Sequence, residues 1–347
     1  MRAFYHPEQA LHDPQVFMRA GVLAAPTDLP ERTARLLGAL ERHGITPEAS
    51  EIDGREAAAL VHPDHYLRFL ETAYARWREM PGAGPEVLPN CAPYWSGAPD
   101  RDMRPPCPTG HIVGEAGYYM GDGAVAIGPN THVSAYRSAA TAAAAAQAVA
   151  GGEPVAYALC RPSGHHCRGD RMTGFCYLAN AAIAVETLRK TFDRVATLDV
   201  DAHHGDGTQE IFYRRDDVFN VSVHVDPREY YPWFIGYAHE TGSGKGEGFN
   251  LNLPLAVGAD DDAFLAAVDK GLAAIADFKA EALVLSLGYD AHAEDPLTAL
   301  RVSTPGFYRL GEAVRRAGLP TVIVQEGGYG IEVIGDCLDA FLTGYGT

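Results

Sequence analysis

The side chains best suited to chemistry are carboxylates and imidazoles in four segments that each follow a short apolar run. His165 and His166 are adjacent in the first segment, and Tyr329 closes the last. The segments read RPSGHHCRGDRMTGFCYL, DVDAHHGDG, GYDAHAEDPL and EGGYG. In open parallel sheets, ligand sites lie beyond the carboxyl ends of the strands. We therefore expect the four segments to meet at one edge of a sheet.

Asp201 and His203 are the first candidates for a metal site. They are two residues apart at a predicted strand end, so in extended geometry both side chains point to the same side. Asp290, at another strand end, completes a set of three that leaves a position for water, as catalytic zinc sites do. Two carboxylates and one imidazole also suit Fe(II) or Co(II). The alternative is that the pair only caps a strand end.

The remaining carboxylates can orient the tandem histidines. We expect Asp199 to pair with His165 and Asp206 with His166, because such carboxylates fix the tautomer of an imidazole and raise its basicity. Tyr329 follows two glycines, which let the backbone approach closely and direct the phenol towards the metal. A phenol in that position can polarise a carbonyl group.

The elements that must hold these residues alternate between strands and helices. This alternation predicts an α/β fold with a central, mainly parallel sheet and helices on both faces. The predicted strands are Val155 to Cys160, Arg194 to Val200, Val218 to His224, Ala282 to Leu287 and Thr321 to Gln325. The predicted helices are Ala139 to Ala150, Asn180 to Lys190, Asp261 to Phe278 and Pro305 to Ala317.

The chain has 347 residues and no recognisable linker, so we expect one catalytic domain over 1–347. Residues 80–110 are dense in proline and glycine and have no periodicity. This composition predicts a long loop, and loops of that length serve as lids or partner contacts in many domains.

Composition limits the partners and the compartment. The net charge of −17 opposes binding to nucleic acid, whose phosphates require clustered lysine and arginine. Six cysteines without CxxC spacing favour a reducing compartment. Because no stretch has the length of a signal peptide core or a membrane span, we expect a cytoplasmic protein without a membrane partner.

The segments GHHCRGDRMTGFCYL, DVDAHHGDGTQEIF, SLGYDAHAEDPL and EGGYG together resemble the successive signatures of the histone deacetylase superfamily. VHPDHYLRFLETA extends the resemblance into the N-terminal part. The stretches TQEIFY and FIGYAHETGSGKGEGFNLNLPL are most similar to bacterial acetylpolyamine amidohydrolases, whereas DAHAEDPL is nearer the general deacetylase pattern. As a whole, the chain is therefore most similar to bacterial acetylpolyamine amidohydrolases and histone deacetylase-like amidohydrolases. The resemblance implies the arginase–deacetylase fold, a zinc-dependent amidohydrolase that releases acetate from an acylated amine, and a homodimer.

The resemblance also implies roles for individual residues. It makes Asp201, His203 and Asp290 the zinc ligands, and His166 the general base beside His165. Tyr329 would be the electrophile. Substrate-channel positions would be Phe175, Tyr231, Gly174 and Gly328. A first potassium ion would lie at Asp199, Asp201, His203, Ser222 and Val223, and a second at backbone carbonyls near Phe212, Arg215 and Val218.

The sequence departs from the polyamine-specific pattern at two positions. Where those members carry glutamates that meet the distal cationic nitrogen, this chain has Val113 and Ala124, with Glu115 and Asp122 nearby. The substrate is therefore left open between an acetylpolyamine, an acetyl-lysine peptide and another small amide. An arginase-like ureohydrolase with two manganese ions and a catalytically silent acyl-amine binder are the alternative functions.

Overall fold

The computed structural model describes residues 1–92 and 105–347. Its centre is a seven-stranded sheet in which every pair of neighbouring strands is parallel, in the order β1-β4-β9-β8-β5-β6-β7. A two-stranded antiparallel hairpin, β2–β3, lies outside it. The strands are β1 (Arg2–Phe4), β2 (Phe17–Arg19), β3 (Val22–Ala24), β4 (Val155–Ala158), β5 (Val195–Asp199), β6 (Val218–Val225), β7 (Asn250–Leu255), β8 (Ala282–Leu287) and β9 (Thr321–Gln325).

Helices cover both faces of the sheet, as parallel sheets require. Ala156 and Ala158 of β4 face a core cluster with α3, α5 and α6, whereas Val155 and Tyr157 face α1, α8, α9 and α10. The helices are α1 (Glu31–Arg42), α2 (Gly54–Ala58), α3 (Asp64–Arg78), α4 (Ile112–Tyr119), α5 (Thr131–Ala150), α6 (Asn180–Leu188), α7 (Asp206–Phe212), α8 (Asp261–Phe278), α9 (Thr304–Ala317) and α10 (Ile334–Tyr345).

Local signals account for the helices that the sequence predicts best. Asp260 caps α8, since its carboxylate accepts a hydrogen bond from the Ala263 amide. Ser303 caps α9 in the same way, and Gly318 ends that helix in the left-handed conformation. Helix α5 begins eight residues before the predicted start at Ala139, because burial against the sheet extends it beyond the alanine run.

The predicted loop at residues 80–110 lies partly outside the described residues. Its described parts, 80–92 and 105–110, contain no helix or strand of the sheet; Val87 forms an isolated bridge with Ile127. Among the described residues, no helix is both long and apolar enough to cross a bilayer.

Candidate active site

The carboxyl ends of β5 and β8, which are neighbours in the sheet, bring Asp201, His203 and Asp290 together. The His203 Nδ1 atom lies 2.9 Å from Asp290 Oδ2 and 3.1 Å from Asp201 Oδ1. Both carboxylates are fully buried. One imidazole nitrogen and two carboxylate oxygens thus converge on one point.

The geometric reason given above for the pairing of Asp201 with His203 is wrong. Strand β5 ends at Asp199, so these two residues lie in a bend and not in extended chain. Asp199 Oδ1 accepts a hydrogen bond from the Asp201 amide at 3.1 Å, and Asp201 Oδ1 accepts one from the His203 amide at 2.9 Å. Successive turns stabilised by aspartate side chains therefore bring the ligand atoms together.

Backbone amides fix the second oxygen of each carboxylate. Asp290 Oδ1 accepts from the Ala202 amide at 2.8 Å, and Asp201 Oδ2 accepts from the Gly327 amide at 2.8 Å. A β-carbon at Gly327 would lie 2.5 Å from carboxylate oxygens of both Asp201 and Asp290. Only glycine allows the turn after β9 to come this close.

The charges of Asp201, His203 and Asp290 favour the binding of a cation. Burial alone would lower the pKa of His203, but Asp290 and Asp201 outweigh it and raise that pKa to about 10. Burial, followed by the charge of Asp201, raises the pKa of the Asp290 carboxyl. Two buried carboxylates with one imidazole carry a negative surplus, which a divalent metal ion would neutralise.

The two tandem histidines each face the predicted carboxylate. His165 Nδ1 lies 2.9 Å from Asp199 Oδ2, and His166 Nδ1 lies 2.7 Å from Asp206 Oδ1. Arg168 also contacts Asp206, with Nη2 3.0 Å from Oδ2. Since the Nδ1 proton of each imidazole is shared with its carboxylate, the Nε2 atoms are the ones left for chemistry.

The two imidazoles differ in charge. Burial and then the neighbouring His165 lower the pKa of His166 to about 4, so His166 is neutral near pH 7. For His165, burial acts in the same direction, but Asp199 and Asp201 outweigh it and raise the pKa well above its usual value. A neutral imidazole beside a charged one can accept a proton while its neighbour supplies positive charge.

Tyr329 is buried at the same place, and the turn that carries it is held by two side chains whose roles the sequence did not indicate. Asp295 Oδ2 accepts from the Tyr329 amide at 2.5 Å and from the Gly330 amide at 2.8 Å. Arg32 of α1 donates to the carbonyls of Gly328 and, at 2.8 Å, Glu326. Its guanidinium carbon lies 4.7 Å from the centre of the Tyr329 ring.

Burial raises the pKa of the Tyr329 phenol well above its usual value, which keeps its proton available for donation.

Glu326 was also missed by the sequence reasoning. Its Oε2 atom accepts from the amides of Gly164 at 2.7 Å and His165 at 3.1 Å. This carboxylate therefore connects the end of β9 to the tandem histidines. The only signal was its place between β9 and the two glycines of EGGYG, which does not reveal a partner more than 160 residues earlier in the chain.

Aromatic rings surround the site. The Phe175 ring centre lies 5.5 Å from that of Tyr329, and the Tyr231 ring centre lies 5.1 Å from that of His166. Phe17 of β2 packs on Phe175 at 5.5 Å, and Leu297 belongs to the same cluster. Phe17 and Leu297 were not predicted, since nothing in their local sequence marks them.

Gly174 lies directly against the catalytic candidates. Its φ is 52°, and a β-carbon there would lie 2.5 Å from the Cδ2 atom of His166. Its amide donates to Asp122 Oδ2 at 3.1 Å, and the Tyr231 hydroxyl donates to the same oxygen at 2.8 Å. Asp122 therefore joins the segments that carry Phe175 and Tyr231.

The residues that the resemblance assigns to potassium lie in two groups, one at the carboxyl end of β5 and in β6, the other between α7 and the start of β6. Asp199 and Ser222 are paired across β5 and β6, next to Val223. In the second group, the Arg215 amide donates to the Phe212 carbonyl at 3.0 Å, and Arg215 precedes the start of β6 at Val218 by three residues.

Comparison with known proteins identifies the relatives of this site. Residues 27–345 match the family model described as histone deacetylase domain. An acetylpolyamine amidohydrolase of Burkholderia pseudomallei is 44% identical over 100% of this chain and 99% of its own. The acetylpolyamine amidohydrolase of Mycoplana ramosa is 38% identical over 96% of both chains. A crystal structure of the Burkholderia pseudomallei protein covers the whole chain with a TM-score of 0.94.

Fold and site together define a deacetylase, an enzyme that hydrolyses linear amides. The chain belongs to the histone deacetylase family. The predicted resemblance and the predicted arginase–deacetylase fold are both confirmed. Membership of this family implies a metal cofactor, and Asp201, His203 and Asp290 form a group that could hold it.

Proposed function

We propose that this enzyme removes the acetyl group from an acetylpolyamine or a similar small acylated amine, with one zinc ion held by Asp201, His203 and Asp290. The convergence of these three side chains beside two carboxylate-paired imidazoles and a buried phenol carries the proposal. Fe(II) or Co(II) would suit the same ligands. The substrate class is supported by relatives named acetylpolyamine amidohydrolases that match along almost their full length.

A divalent cation bound there would polarise the amide carbonyl and increase the acidity of a water molecule. His166 accepts a proton from the attacking water at Nε2, while Asp206 keeps the Nδ1 proton in place. When the carbon–nitrogen bond breaks, His166 returns the proton to the leaving amine, and the acyl group departs as acetate.

Two further groups stabilise the negative charge that develops on the carbonyl oxygen. Tyr329 donates its phenolic proton to this oxygen, which is why a raised pKa suits its role. His165 contributes positive charge from beside Asp199. Phe175, Tyr231, Gly174 and Gly328 line the path of the alkyl chain.

Potassium is part of the same proposal. One ion would lie at Asp199, Asp201, His203, Ser222 and Val223 and support the metal ligands from beneath. A second would use carbonyls near Phe212, Arg215 and Val218. A homodimer and a cytoplasmic location complete the proposal, which involves neither nucleic acid nor a membrane as partner.

The direct test is hydrolysis of a panel of acylated amines by the purified enzyme. N-acetylputrescine and N-acetylcadaverine should be cleaved with higher kcat/KM than acetyl-lysine peptides, and a hydroxamate should abolish all activity. Removal of metal by a chelator should abolish turnover, and zinc should restore it. Binding of these substrates without release of acetate would instead identify a silent acyl-amine binder.

Elemental analysis of the purified protein distinguishes a deacetylase from an arginase-like ureohydrolase. We expect one divalent metal ion per chain, at Asp201, His203 and Asp290. The described residues contain a second group of potential ligands, His165, Cys176 and Glu326, but its imidazole pairs with Asp199 and its carboxylate accepts from two backbone amides. Two manganese ions per chain, with release of urea from a guanidino substrate, would indicate an arginase-like ureohydrolase.

A further inference from the structure

We propose that Glu240 is a positioning residue for the substrate channel. Together with Gln209, it fixes the segment that carries Tyr231, the aromatic residue beside His166. The inference rests on the proposed function, in which Tyr231 lines the path of the alkyl chain. It assigns to Glu240 no contact with the substrate and no part in breaking the bond.

The chain between β6 and β7, residues 226–249, depends on outside contacts for its shape. These residues, all of which the structure describes, form no strand and no α-helix. Tyr231 lies in this β6–β7 segment, with its ring centre 5.1 Å from that of His166. Trp233 and Phe234, close behind it in the chain, are exposed and contribute little packing. Hydrogen bonds must therefore hold the backbone that carries Tyr231.

The β6–β7 segment is anchored at Gly236, which is buried. Its amide donates to Glu240 Oε2 at 2.8 Å, and its carbonyl accepts from His224 Nε2 at 2.8 Å. The φ of Gly236 is 107°, and a β-carbon there would lie 2.7 Å from Cγ of His204. Since His204 directly follows the proposed metal ligand His203, the turn at Gly236 packs on the bend that carries the metal ligands.

Gln209 is buried in α7, and the two ends of its amide face different partners. Oε1 lies 3.0 Å from His204 Nε2, 3.0 Å from Asn250 Nδ2 and 2.8 Å from Asn252 Nδ2. Asn250 Nδ2 also donates to the Glu240 carbonyl at 2.7 Å, which fixes the orientation of the Asn250 amide. Gln209 must therefore present its oxygen to the asparagines and its Nε2 atom to Glu240 Oε2, which lies 2.7 Å away.

One oxygen of Glu240 thus serves two parts of the fold. Oε2 accepts both from the Gly236 amide and from Gln209. Helix α7, which carries Gln209, begins at Asp206, the partner of His166. Loss of this oxygen would release the turn from α7. A channel wall that must become ordered when a ligand binds lowers affinity for every ligand that fills the channel.

The test measures the binding of two hydroxamates to the metal-loaded enzyme by isothermal titration calorimetry. The chain of octanohydroxamate fills the channel, whereas acetohydroxamate has no such chain. Glu240→Ala should weaken the binding of octanohydroxamate by about tenfold and that of acetohydroxamate by less than about twofold, because only the wall is disturbed. In turnover of N-acetylputrescine, the same variant should raise KM by about tenfold and leave kcat within about threefold.

Three further variants separate positioning from other effects. Glu240→Gln keeps an oxygen that can accept from both amides and should bind both hydroxamates as the wild type does. Glu247→Ala removes an equal charge at an exposed position of the β6–β7 segment and should have no effect. In a Tyr231→Ala background, Glu240→Ala should weaken octanohydroxamate binding by less than about twofold further, because the ring that it positions is absent.

Three results would overturn the inference. They are unchanged octanohydroxamate binding in Glu240→Ala, equal losses of affinity for both hydroxamates, and an undiminished effect of Glu240→Ala without the Tyr231 ring. Circular dichroism establishes that the variant is folded; if Glu240→Ala does not fold, Glu240→Asp, which withdraws the oxygen but keeps the charge, replaces it with the same expectation. Failure of the wild type to hydrolyse any acylated amine would contradict the proposed function instead, since the hydroxamate comparison does not depend on turnover.

Discussion

Tyr329 is the residue whose chemistry can be tested by removing one atom. The change Tyr329→Phe keeps the ring that packs against Phe175 but deletes the proton donor. Loss of one donor to a developing oxyanion should lower kcat by about 100- to 1000-fold. Steady-state kinetics with N-acetylputrescine measures this, and circular dichroism should show an unchanged fold. Near-normal turnover would remove Tyr329 from the mechanism.

Arg32 stabilises the turn of Tyr329 from beneath. It is buried against Asp28, with 2.6 Å between Nη1 and Oδ1, and donates to carbonyls of the turn. Arg32→Met leaves Asp28 with one arginine partner fewer and should lower the free energy of unfolding by about 3–5 kcal/mol. Arg32→Lys keeps the charge but not all of the donors, and should cost about 1–3 kcal/mol.

Urea unfolding of both variants measures these losses. The matched control is Arg35→Met on the same helix, because Arg35 is 45% exposed and forms only surface ion pairs. Its effect should stay within about 0.5 kcal/mol. If Arg32→Met were as stable as Arg35→Met, the contacts of Arg32 would not stabilise the fold.

At the scale of elements, the segment between β4 and α6 carries His166, and two of its glycines, Gly169 and Gly174, differ in how much space surrounds them. Gly174→Ala forces a β-carbon against the His166 ring at a positive φ, whereas Gly169→Ala meets no atom within 4 Å. Because displacing a catalytic group by ~1 Å can cost about 100-fold, Gly174→Ala should lower kcat/KM at least tenfold. Gly169→Ala should behave like the wild type. Equal activity of the two variants would show that the approach of residue 174 to His166 is not tight.

Elements were predictable from the sequence where local signals suffice. Strands β8 and β9 and helix α8 have the predicted bounds, because apolar β-branched runs and an Asp cap are local features. The short edge strand β1 and the less apolar β7 were not predicted. Both strands form because they pair with a neighbouring strand and pack against the core. The local sequence does not show that neighbour.

The site was predictable for a different reason. The His165–Asp199 and His166–Asp206 pairs follow from parallel strands ending at one edge, together with the family resemblance. The contacts of Glu326 and Arg32 depend on backbone carbonyls and amides, which every residue possesses. Residue types therefore carry no signal for these partners, and only the folded chain shows them.

For the molecule as a whole, His62 couples stability to pH. Both ring nitrogens are used, since Nδ1 faces the Gly169 carbonyl at 2.8 Å and Nε2 accepts from the Ala179 amide at 2.9 Å. Burial lowers its pKa to about 4. The unfolded chain takes up this proton near pH 6.5, so the contribution of His62 is present above that pH and is lost as the pH falls towards 4.

The prediction concerns the difference in free energy of unfolding between His62→Gln and the wild type. The contributions of the other titrating groups are the same in both proteins and cancel in this difference. His62→Gln should be less stable than the wild type at pH 7.5, and this deficit should shrink by about 2–3 kcal/mol at pH 4.5. Urea unfolding at several pH values measures the deficit, with exposed His239→Gln as the control. A deficit that stays constant with pH would mean that His62 has the same pKa in the folded and the unfolded protein.

The folding unit includes the N-terminal segment, whereas the family match begins only at residue 27. Arg161, just before the tandem histidines, donates to the His12 carbonyl, while Phe17 covers Phe175 and β1 protects the edge of β4. Trimming the protein to residues 27–345 would remove β1 and expose the edge of β4. It would also leave the buried Arg161 guanidinium without one of its hydrogen-bond acceptors. Expression of the trimmed chain should therefore yield aggregates, whereas we expect residues 1–347 to purify as a discrete species. Choosing boundaries from the family match alone would discard residues on which the catalytic edge of the sheet depends.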